Sequence, residues 1–301
     1  MDLLRDTVRS CLARRPEDAW EELGLAGLAV PEQYGGAGCG PDEIAVVAHE
    51  LGRALSPLPF LQSAILAVEA LMLDGTEEAR RRLLPPAPSA TVVLDGDLRL
   101  TGGLLSGMAD HVPEGELVLV YTGDALVEAV PTRREPYRTV DESRPLTRLV
   151  FEGAPAVVVG GARHRERVRE LGIAALAAEQ AGGAERCLEM AVSHALSRVQ
   201  FGRPIGGFQA IKHKLADVHL LVESARSAAA AAGESGVAAA VAGAYCGEAY
   251  LTAAGESIQV HGGIGITWEH DAHRHLKRAA SDAQLFRTPR AHRAWLADAV
   301  F

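Results

Sequence analysis

The feature that most constrains the fold is a change of hydrophobic periodicity at two places along the chain. Between residues 89 and 159, short apolar runs alternate with Gly, Asp and Pro, a pattern typical of a small β-barrel or sandwich. On both sides of this segment, apolar residues recur at helical spacing. The sequence therefore predicts an α+β chain with an N-terminal helical domain at 1–88, a small middle β domain at 89–159 and a C-terminal helical bundle at 160–301.

Local signals divide the first two domains into individual elements. Helical patterns in the first domain cover 2–29, 41–55, 61–73 and 77–84, and Pro85-Pro86-Ala87-Pro88 marks a boundary. The middle domain contains five predicted strands, at 91–94, 98–100, 117–121, 125–130 and 146–151.

The C-terminal domain is predicted to be an antiparallel helical bundle. Its first helix runs from His164 to Gln200 and includes Gly182-Gly183, where small residues are expected to allow close helix contact. The second helix has an apolar seam at alternating spacings of three and four. Further helices are predicted from Val237 to Val260, through Lys277 and from Pro289 onward.

Composition narrows the functional class. The formal net charge of −9 argues against a nucleic-acid or anionic-membrane partner, because such binding depends on Lys and Arg. The four cysteines contain no CxxC pair, which indicates neither a disulfide framework nor a zinc site. Residues 1–6 lack the apolar core of a signal peptide, and the Ala-rich run at 225–244 does not have the character of a membrane span. A cytoplasmic protein is expected.

Three motifs occur in order along the chain. The first is Gly24-Leu25-Ala26-Gly27-Leu28-Ala29-Val30-Pro31-Glu32-Gln33-Tyr34-Gly35-Gly36. The second runs from Arg198 to Asp217 and joins two long helical patterns through a glycine-rich turn. The third is Gln259-Val260-His261-Gly262-Gly263-Ile264-Gly265-Ile266-Thr267-Trp268-Glu269-His270-Asp271. Together with the domain order, they resemble the acyl-CoA dehydrogenase family over nearly the whole chain.

The resemblance implies an FAD-binding role for the second and third motifs. In the family, the matching residues contact the ADP half of an FAD that lies mainly in the neighbouring subunit. Their chemistry suits a diphosphate, since a guanidinium pairs with phosphate, glutamines donate hydrogen bonds and glycines allow close backbone approach. The residues concerned are Arg198, Gln200, Phe201, Gln209, Gln259, Gly262 and Gly263.

The part of the chain that would contact the flavin ring does not resemble the family. The Thr-Glu-Pro-Gly-Ala-Gly-Ser-Asp type loop and the Trp-Ile-Thr type strand, which contact the flavin ring in family members, have no counterpart in a shortened segment 89–159 that contains no Trp. At the family's base position the sequence has Arg287, or Phe286 without a one-residue insertion, and the alternative base position falls at about Gly172. Arginine stays protonated and cannot accept the α proton of an acyl-CoA.

Two carboxylates remain as candidates for the base, Glu179 and Glu269, and for each an interhelical salt bridge or a helix cap is the favoured explanation. The spacing of His270, His273 and His275 does not place all three on one helix face, so no metal site is predicted.

The resemblance implies a subunit of a heteromeric α2β2 acyl-CoA dehydrogenase that completes the FAD site of a full-length partner. An acyl-CoA thioester as substrate and electron-transfer flavoprotein as acceptor follow from the family, and actinobacterial dehydrogenases of steroid side-chain thioesters show a similar arrangement. Two alternatives stay open. One is a self-sufficient homo-oligomer that uses Glu179 or Glu269 as its base, and the other is a flavin-free structural or acyl-CoA-binding subunit.

Overall fold

A computed structural model describes residues 1–84 and 89–300 of the chain. It divides into two compact units, Met1–Ile44 with Pro57–Gly172, and Ala45–Ser56 with the chain from Ile173 onward. Helices at both ends of the sequence and a curled sheet between them confirm the predicted fold class. The boundary predicted at Pro85-Pro86-Ala87-Pro88 lies outside the described residues, and the three domain limits stay predictions.

The N-terminal helices begin and end at local sequence signals. The predicted helix over 2–29 is wrong beyond Glu22, because Gly24 adopts a left-handed φ of +60° and short 3₁₀ turns follow at Leu25–Gly27 and Glu32–Tyr34. Thr76 caps the last of these helices by accepting a hydrogen bond from the Ala79 N–H. The helices are α1 (Asp2–Arg14), α2 (Ala19–Glu22), α3 (Pro41–Arg53), α4 (Val68–Asp74) and α5 (Glu77–Leu83).

The sheet is mostly antiparallel and is folded along one long strand. Its strand order is β1-β4-β5-β7-β3-β2, with β6 also paired to β7. β1 and β4 run parallel, and the other strand pairs in this order are antiparallel. The first part of β7 pairs with β3 and β6, and its last part pairs with β5. The strands are β1 (Ala90–Val93), β2 (Asp97–Thr101), β3 (Leu104–Pro113), β4 (Leu117–Thr122), β5 (Ala125–Ala129), β6 (Arg133–Pro136) and β7 (Leu146–Gly161).

Polar side chains of a π-helix at Phe60–Ala67 form hydrogen bonds with the backbone along the free edge of β1. The Ser63 hydroxyl accepts from the Ala90 N–H at 2.8 Å and lies 3.1 Å from the Ala90 carbonyl oxygen, to which it donates. The Gln62 Oε1 atom accepts from the Val92 N–H at 3.1 Å. These contacts satisfy backbone groups that an edge strand otherwise leaves unpaired.

The second unit contains most of the C-terminal bundle. Four helices share one apolar core, to which Cys187, Val222, Tyr250 and Ala279 each contribute from a different helix. A two-stranded hairpin, β8 (Val199–Gln200) and β9 (Arg203–Pro204), connects the first two helices. The bundle helices are α6 (Arg165–Ser197), α7 (Gln209–Ala231), α8 (Gly236–His261), α9 (Ala272–Asp282) and α10 (Pro289–Val300).

Glycines on α3 and α6 permit close backbone packing within this unit. A Cβ atom added to Gly182 would lie 2.0 Å from the His49 carbonyl oxygen, and one added to Gly52 would lie 1.9 Å from that of Glu179. A Cβ atom on Gly183 would collide with the Tyr250 ring at 2.4 Å. The prediction of close helix contact at Gly182-Gly183 is therefore confirmed. Across 1–84 and 89–300, none of the helices is long and apolar enough to cross a membrane.

Candidate functional site

The second motif folds as a tight hairpin at the end of α6. Its two-residue turn, Phe201-Gly202, has φ values of +51° and +77°, as a type I′ turn requires. The Ile205 N–H donates to the Arg198 carbonyl oxygen at 2.8 Å, and the Arg198 N–H donates to that of His194 at 2.8 Å. The backbone of Arg198 is thus fixed on both sides, while its side chain is exposed.

Aromatic contacts fix the tip of this hairpin. Phe201 is 92% exposed and packs edge-to-face against Phe208, with ring centroids 6.2 Å apart. The Arg203 guanidinium lies 4.0 Å from the centre of the Phe208 ring. Phe208 is also the N-cap residue of α7, and its side chain makes no capping hydrogen bond. Gln209 follows, exposed, at the helix end where the macrodipole favours negative charge.

The third motif forms the end of α8. Gln259 is exposed on the last turn, and Gly262 ends the helix with a φ of +66°. Gly262 and Gly263 are exposed, and a Cβ atom added to either would meet no atom within 4 Å. Their backbone is therefore accessible to a ligand.

A small apolar cluster holds these segments together. Ala191 and Ala195 from α6 and Val260 from α8 form its buried centre, against which Ile205, Ile211 and Leu215 pack. An ion pair between Lys214 and Glu256 adds a link between α7 and α8. The structure thus brings together the two segments that carry the seven predicted FAD-contacting residues. These are here called the signature segments: 198–209, which includes the hairpin and the start of α7, and 259–263.

A cleft lined by His194, His261 and His270, whose rings contact one another at a tilt, lies beside the signature segments. The sequence did not predict this cleft. The ring centroids of His194 and His261 are 4.5 Å apart, and those of His261 and His270 are 4.2 Å apart. Burial lowers the pKa of His194, and the nearby His261 and Arg198 lower it further. Burial also lowers the pKa of His261, although its hydrogen bond to the Ser257 carbonyl oxygen acts in the opposite direction. The cleft has a volume of about 380 Å³, and its acidic lining residues are Glu189, Glu269 and Asp271.

The two histidines that follow the third motif on α9, His273 and His275, have separate environments. His275 is buried and its Nδ1 atom lies 2.8 Å from the Tyr250 hydroxyl, whereas His273 packs edge-to-face on Trp268. Burial lowers the pKa of His275 to about 3. Within the part of the chain that the structure describes, no group of three or more His, Cys, Asp or Glu residues is arranged to hold a metal ion.

The two candidate bases differ in exposure. The Glu179 carboxylate is buried, and its Oε1 atom lies 2.5 Å from Nη1 of Arg278, which is 1% exposed. Arg278 also donates from Nη2 to the Ser56 carbonyl oxygen at 2.9 Å. Glu269 is exposed beside His270 on the cleft, and Arg287 is half-buried after Phe286. A carboxylate is therefore accessible at Glu269 and enclosed in an ion pair at Glu179.

The connection from β1 to β2 has only three residues, Leu94, Asp95 and Gly96. The Arg169 guanidinium binds both oxygens of Asp95, at 2.8 and 2.9 Å, and Nε of Arg165 donates to the Leu94 carbonyl oxygen at 2.6 Å. Two arginines at the start of α6 thereby fix this loop.

Comparison with known families decides the classification. The model for the acyl-CoA dehydrogenase N-terminal domain matches residues 3–90, and the model for the acyl-CoA dehydrogenase C-terminal domain matches residues 170–289. This chain belongs to the acyl-CoA dehydrogenase family. It is therefore classed with flavoprotein oxidoreductases, and the resemblance inferred from the three motifs is confirmed.

Relatives of this acyl-CoA dehydrogenase chain include members from mycobacteria. Acyl-CoA dehydrogenase IpdE2 of Mycobacterium tuberculosis is 37% identical over 312 residues, which cover 96% of this chain and 93% of IpdE2. Two solved structures each share 26% identity with a TM-score of 0.88, covering 99% of this chain and 96% of theirs. One is the ChsE4-ChsE5 complex from Mycobacterium tuberculosis, and the other is the Tcur3481-Tcur3483 steroid ACAD G363A variant.

Proposed function

We propose that this chain is a subunit of a heteromeric α2β2 acyl-CoA dehydrogenase and contributes the ADP-binding half of the FAD site to a full-length catalytic partner. The observation that carries the proposal is an asymmetry. The residues that family members give to a neighbour's cofactor are assembled on an exposed surface, while the loop that would contact the chain's own flavin ring is reduced to three residues.

The signature segments fit the diphosphate and the adjoining ADP of FAD. Arg198 is exposed, and the start of α7 has no side-chain cap to compete with a phosphate for its N–H groups. Gly262 and Gly263 allow a ligand to approach the backbone closely. Gln200, Gln209 and Gln259 supply exposed amide donors, and Phe201 supplies an exposed aromatic face.

The described residues of the β domain do not fit the flavin ring. No Trp occurs between 89 and 159, and the Leu94-Asp95-Gly96 connection is held against α6 by Arg165 and Arg169 instead of extending as a ligand-binding loop. We therefore assign the isoalloxazine pocket to the partner.

The proton-abstracting base is also assigned to the partner. A bound FAD would supply the acceptor for the β hydride of an acyl thioester, and a carboxylate would be needed to take the α proton. Arg287 cannot accept a proton, and Glu179 is enclosed with Arg278 in the bundle core. Glu269 is accessible, so a self-sufficient homo-oligomer that uses Glu269 is the enzymatic alternative.

The names of related proteins support the partner and the substrate class. One similar structure is the ChsE4-ChsE5 complex, and the other is the Tcur3481-Tcur3483 steroid ACAD variant. By analogy, we propose a steroid-type acyl-CoA thioester as substrate, electron-transfer flavoprotein as acceptor and the cytoplasm as location.

An Arg198→Ala substitution tests the cofactor role in the assembled enzyme. The chain is purified with a full-length acyl-CoA dehydrogenase partner encoded near it, and flavin per protein and acyl-CoA-dependent dye reduction are measured after gel filtration. We expect Arg198→Ala to release FAD while the two chains remain associated, and the exposed Arg290→Ala variant to retain it. Full flavin retention in Arg198→Ala would contradict the cross-interface assignment.

A further inference from the structure

The β8–β9 hairpin and the start of α7 form a local basic segment in an acidic chain. Residues 198–216 contain two arginines and two lysines and no Asp or Glu, whereas the whole chain has a net charge of −9. Lys214 is neutralised by Glu256. Within residues 1–84 and 89–300, neither Arg198 nor Arg203 forms an ion pair with a carboxylate. Two guanidinium groups are therefore available to an anion at one hairpin.

The hairpin register places these two arginines on one face. Gln200 and Arg203 are directly paired across β8 and β9, so their side chains project from the same side of the ribbon. Arg198 precedes Gln200 by two residues, and side chains two positions apart in an extended strand share a face. The hydrogen bond from the Ile205 N–H to the Arg198 carbonyl oxygen extends the pairing to Arg198.

Packing against Phe208 holds the Arg203 guanidinium near the start of α7. The guanidinium carbon lies 4.0 Å from the centre of the Phe208 ring, and the side-chain stem passes over Gly207, where an added Cβ would lie 3.4 Å from Cδ. Stacking on an aromatic face leaves the N–H groups at the guanidinium edge available to a planar or bidentate acceptor. Because Phe208 is the N-cap of α7, the guanidinium is held beside the positive end of the helix dipole.

We infer that Arg203 is a second guanidinium of the cofactor surface and binds the FAD diphosphate together with Arg198. The inference rests on the proposed function and extends it to a residue that the motif did not include. A diphosphate has two charged groups, and two guanidiniums on one face can bind each of them in bidentate fashion. The Phe208 ring reduces the ordering that Arg203 undergoes on binding, since its side chain is already held.

The test uses the assembled enzyme with its flavin removed and titrates it with FAD, following flavin fluorescence. Arg203→Gln is compared with wild type, with Arg203→Lys, with Arg198→Gln and with the control Arg290→Gln, which removes an exposed charge on α10. We expect Arg203→Gln to weaken FAD binding about tenfold, the size of one lost charge-assisted contact. Arg203→Lys should recover part of the affinity, and the difference between wild type and Arg203→Gln should shrink at high salt.

Three outcomes would overturn the inference. If Arg198→Gln weakens FAD binding and Arg203→Gln does not, the inference fails and the proposed function stands. If Arg203→Gln instead separates the two chains in the absence of FAD, Arg203 contacts protein and not cofactor. If neither variant changes FAD affinity, the proposed function fails with it.

Discussion

Glu179 and Arg278 form a buried ion pair in the second unit, with 2.5 Å between Oε1 and Nη1. Arg278 is 1% exposed and Glu179 is 8% exposed, so neither charge is well solvated. This geometry supports a structural role for Glu179, because its carboxylate is enclosed against a buried guanidinium that also binds the Ser56 carbonyl oxygen.

Replacing Glu179 by Gln should therefore lower the stability of the fold and leave the dehydrogenase activity of the assembled enzyme unchanged. The substitution removes the carboxylate charge that pairs with the buried Arg278, and we expect a loss of about 3 kcal/mol in the free energy of unfolding. Urea denaturation measures this loss, with the exposed Glu234→Gln as the matched control. If Glu179→Gln is as stable as wild type but its assembly no longer reduces dye, Glu179 is a base and the homo-oligomeric alternative gains support.

The ion pair between His49 and Glu185 should give the second unit an acidic stability optimum. Their Nε2 and Oε2 atoms are 2.9 Å apart. The hydrogen bond from His49 lowers the pKa of Glu185 from 4.5 to about 2. Burial alone lowers the pKa of His49, but hydrogen bonds to Glu185 and Glu50 outweigh it and raise that pKa above 6.5.

The two shifts act at opposite ends of the pH range. A depressed Glu185 pKa contributes stability that is present above pH 4.5 and is lost as the pH falls toward about 2. A raised His49 pKa contributes stability that is present below pH 6.5 and is lost as the pH rises through the folded value. We expect the contribution of this ion pair to the free energy of unfolding to be largest between pH 4.5 and 6.5. Its size there should be about 1 kcal/mol after solvent screening. Urea midpoints across pH should show it in wild type, and an unchanged maximum in His49→Gln would refute the assignment.

The backbone packs so closely at Gly182 that adding one methyl group there should lower stability. Its added Cβ would lie 2.0 Å from the His49 carbonyl oxygen, so Gly182→Ala must push two backbones apart. We expect a loss of about 2 kcal/mol or more, typical of overpacking. Gly255→Ala on α8 is the control, because its Cβ would meet no atom within 4 Å and should be neutral or stabilise by up to about 1 kcal/mol. Equal thermal midpoints for the two variants would show that α3 and α6 are not packed this closely.

Periodicity predicted the bundle well, because long helices have strong apolar repeats. The predicted helix from Val237 to Val260 is observed as Gly236–His261, and the one from His164 to Gln200 as Arg165–Ser197. In the sheet the prediction was poorer. The strand predicted to end at Phe151 continues to Gly161, since Gly153 and Pro155 look like turn signals in sequence but lie within the paired strand.

Two strands of the seven-stranded sheet, β3 and β6, were not predicted because they depend on pairing with other strands. β3 contains Gly107 and Asp110 and has weak strand propensity, yet it is paired on both sides by β2 and β7. β6 is charged and ends at Pro136, which an edge strand tolerates because it pairs only with β7. Tertiary pairing, which no local pattern records, decides both.

The candidate site, like the fold, could be predicted from the sequence only in part. Family motifs identified residues such as Arg198 and Gly262, and the structure shows that their segments meet around one apolar cluster. The ring contact between His194 and His261 could not be predicted, because these residues are 67 positions apart and belong to different helices. The position of Arg203 over Phe208 depends on a type I′ turn whose first residue is a phenylalanine and not a glycine. Phe201 at positive φ gave no usual turn signal.

The central claim is that the flavin site is completed only between two different chains. The most direct measurement is the amount of FAD bound per protein, determined by absorbance after gel filtration, for this chain alone, for the full-length partner alone and for the two together. The account predicts no stoichiometric FAD on this chain alone and stable flavin only in the mixture. Stoichiometric FAD on this chain alone, with acyl-CoA-dependent dye reduction, would contradict it.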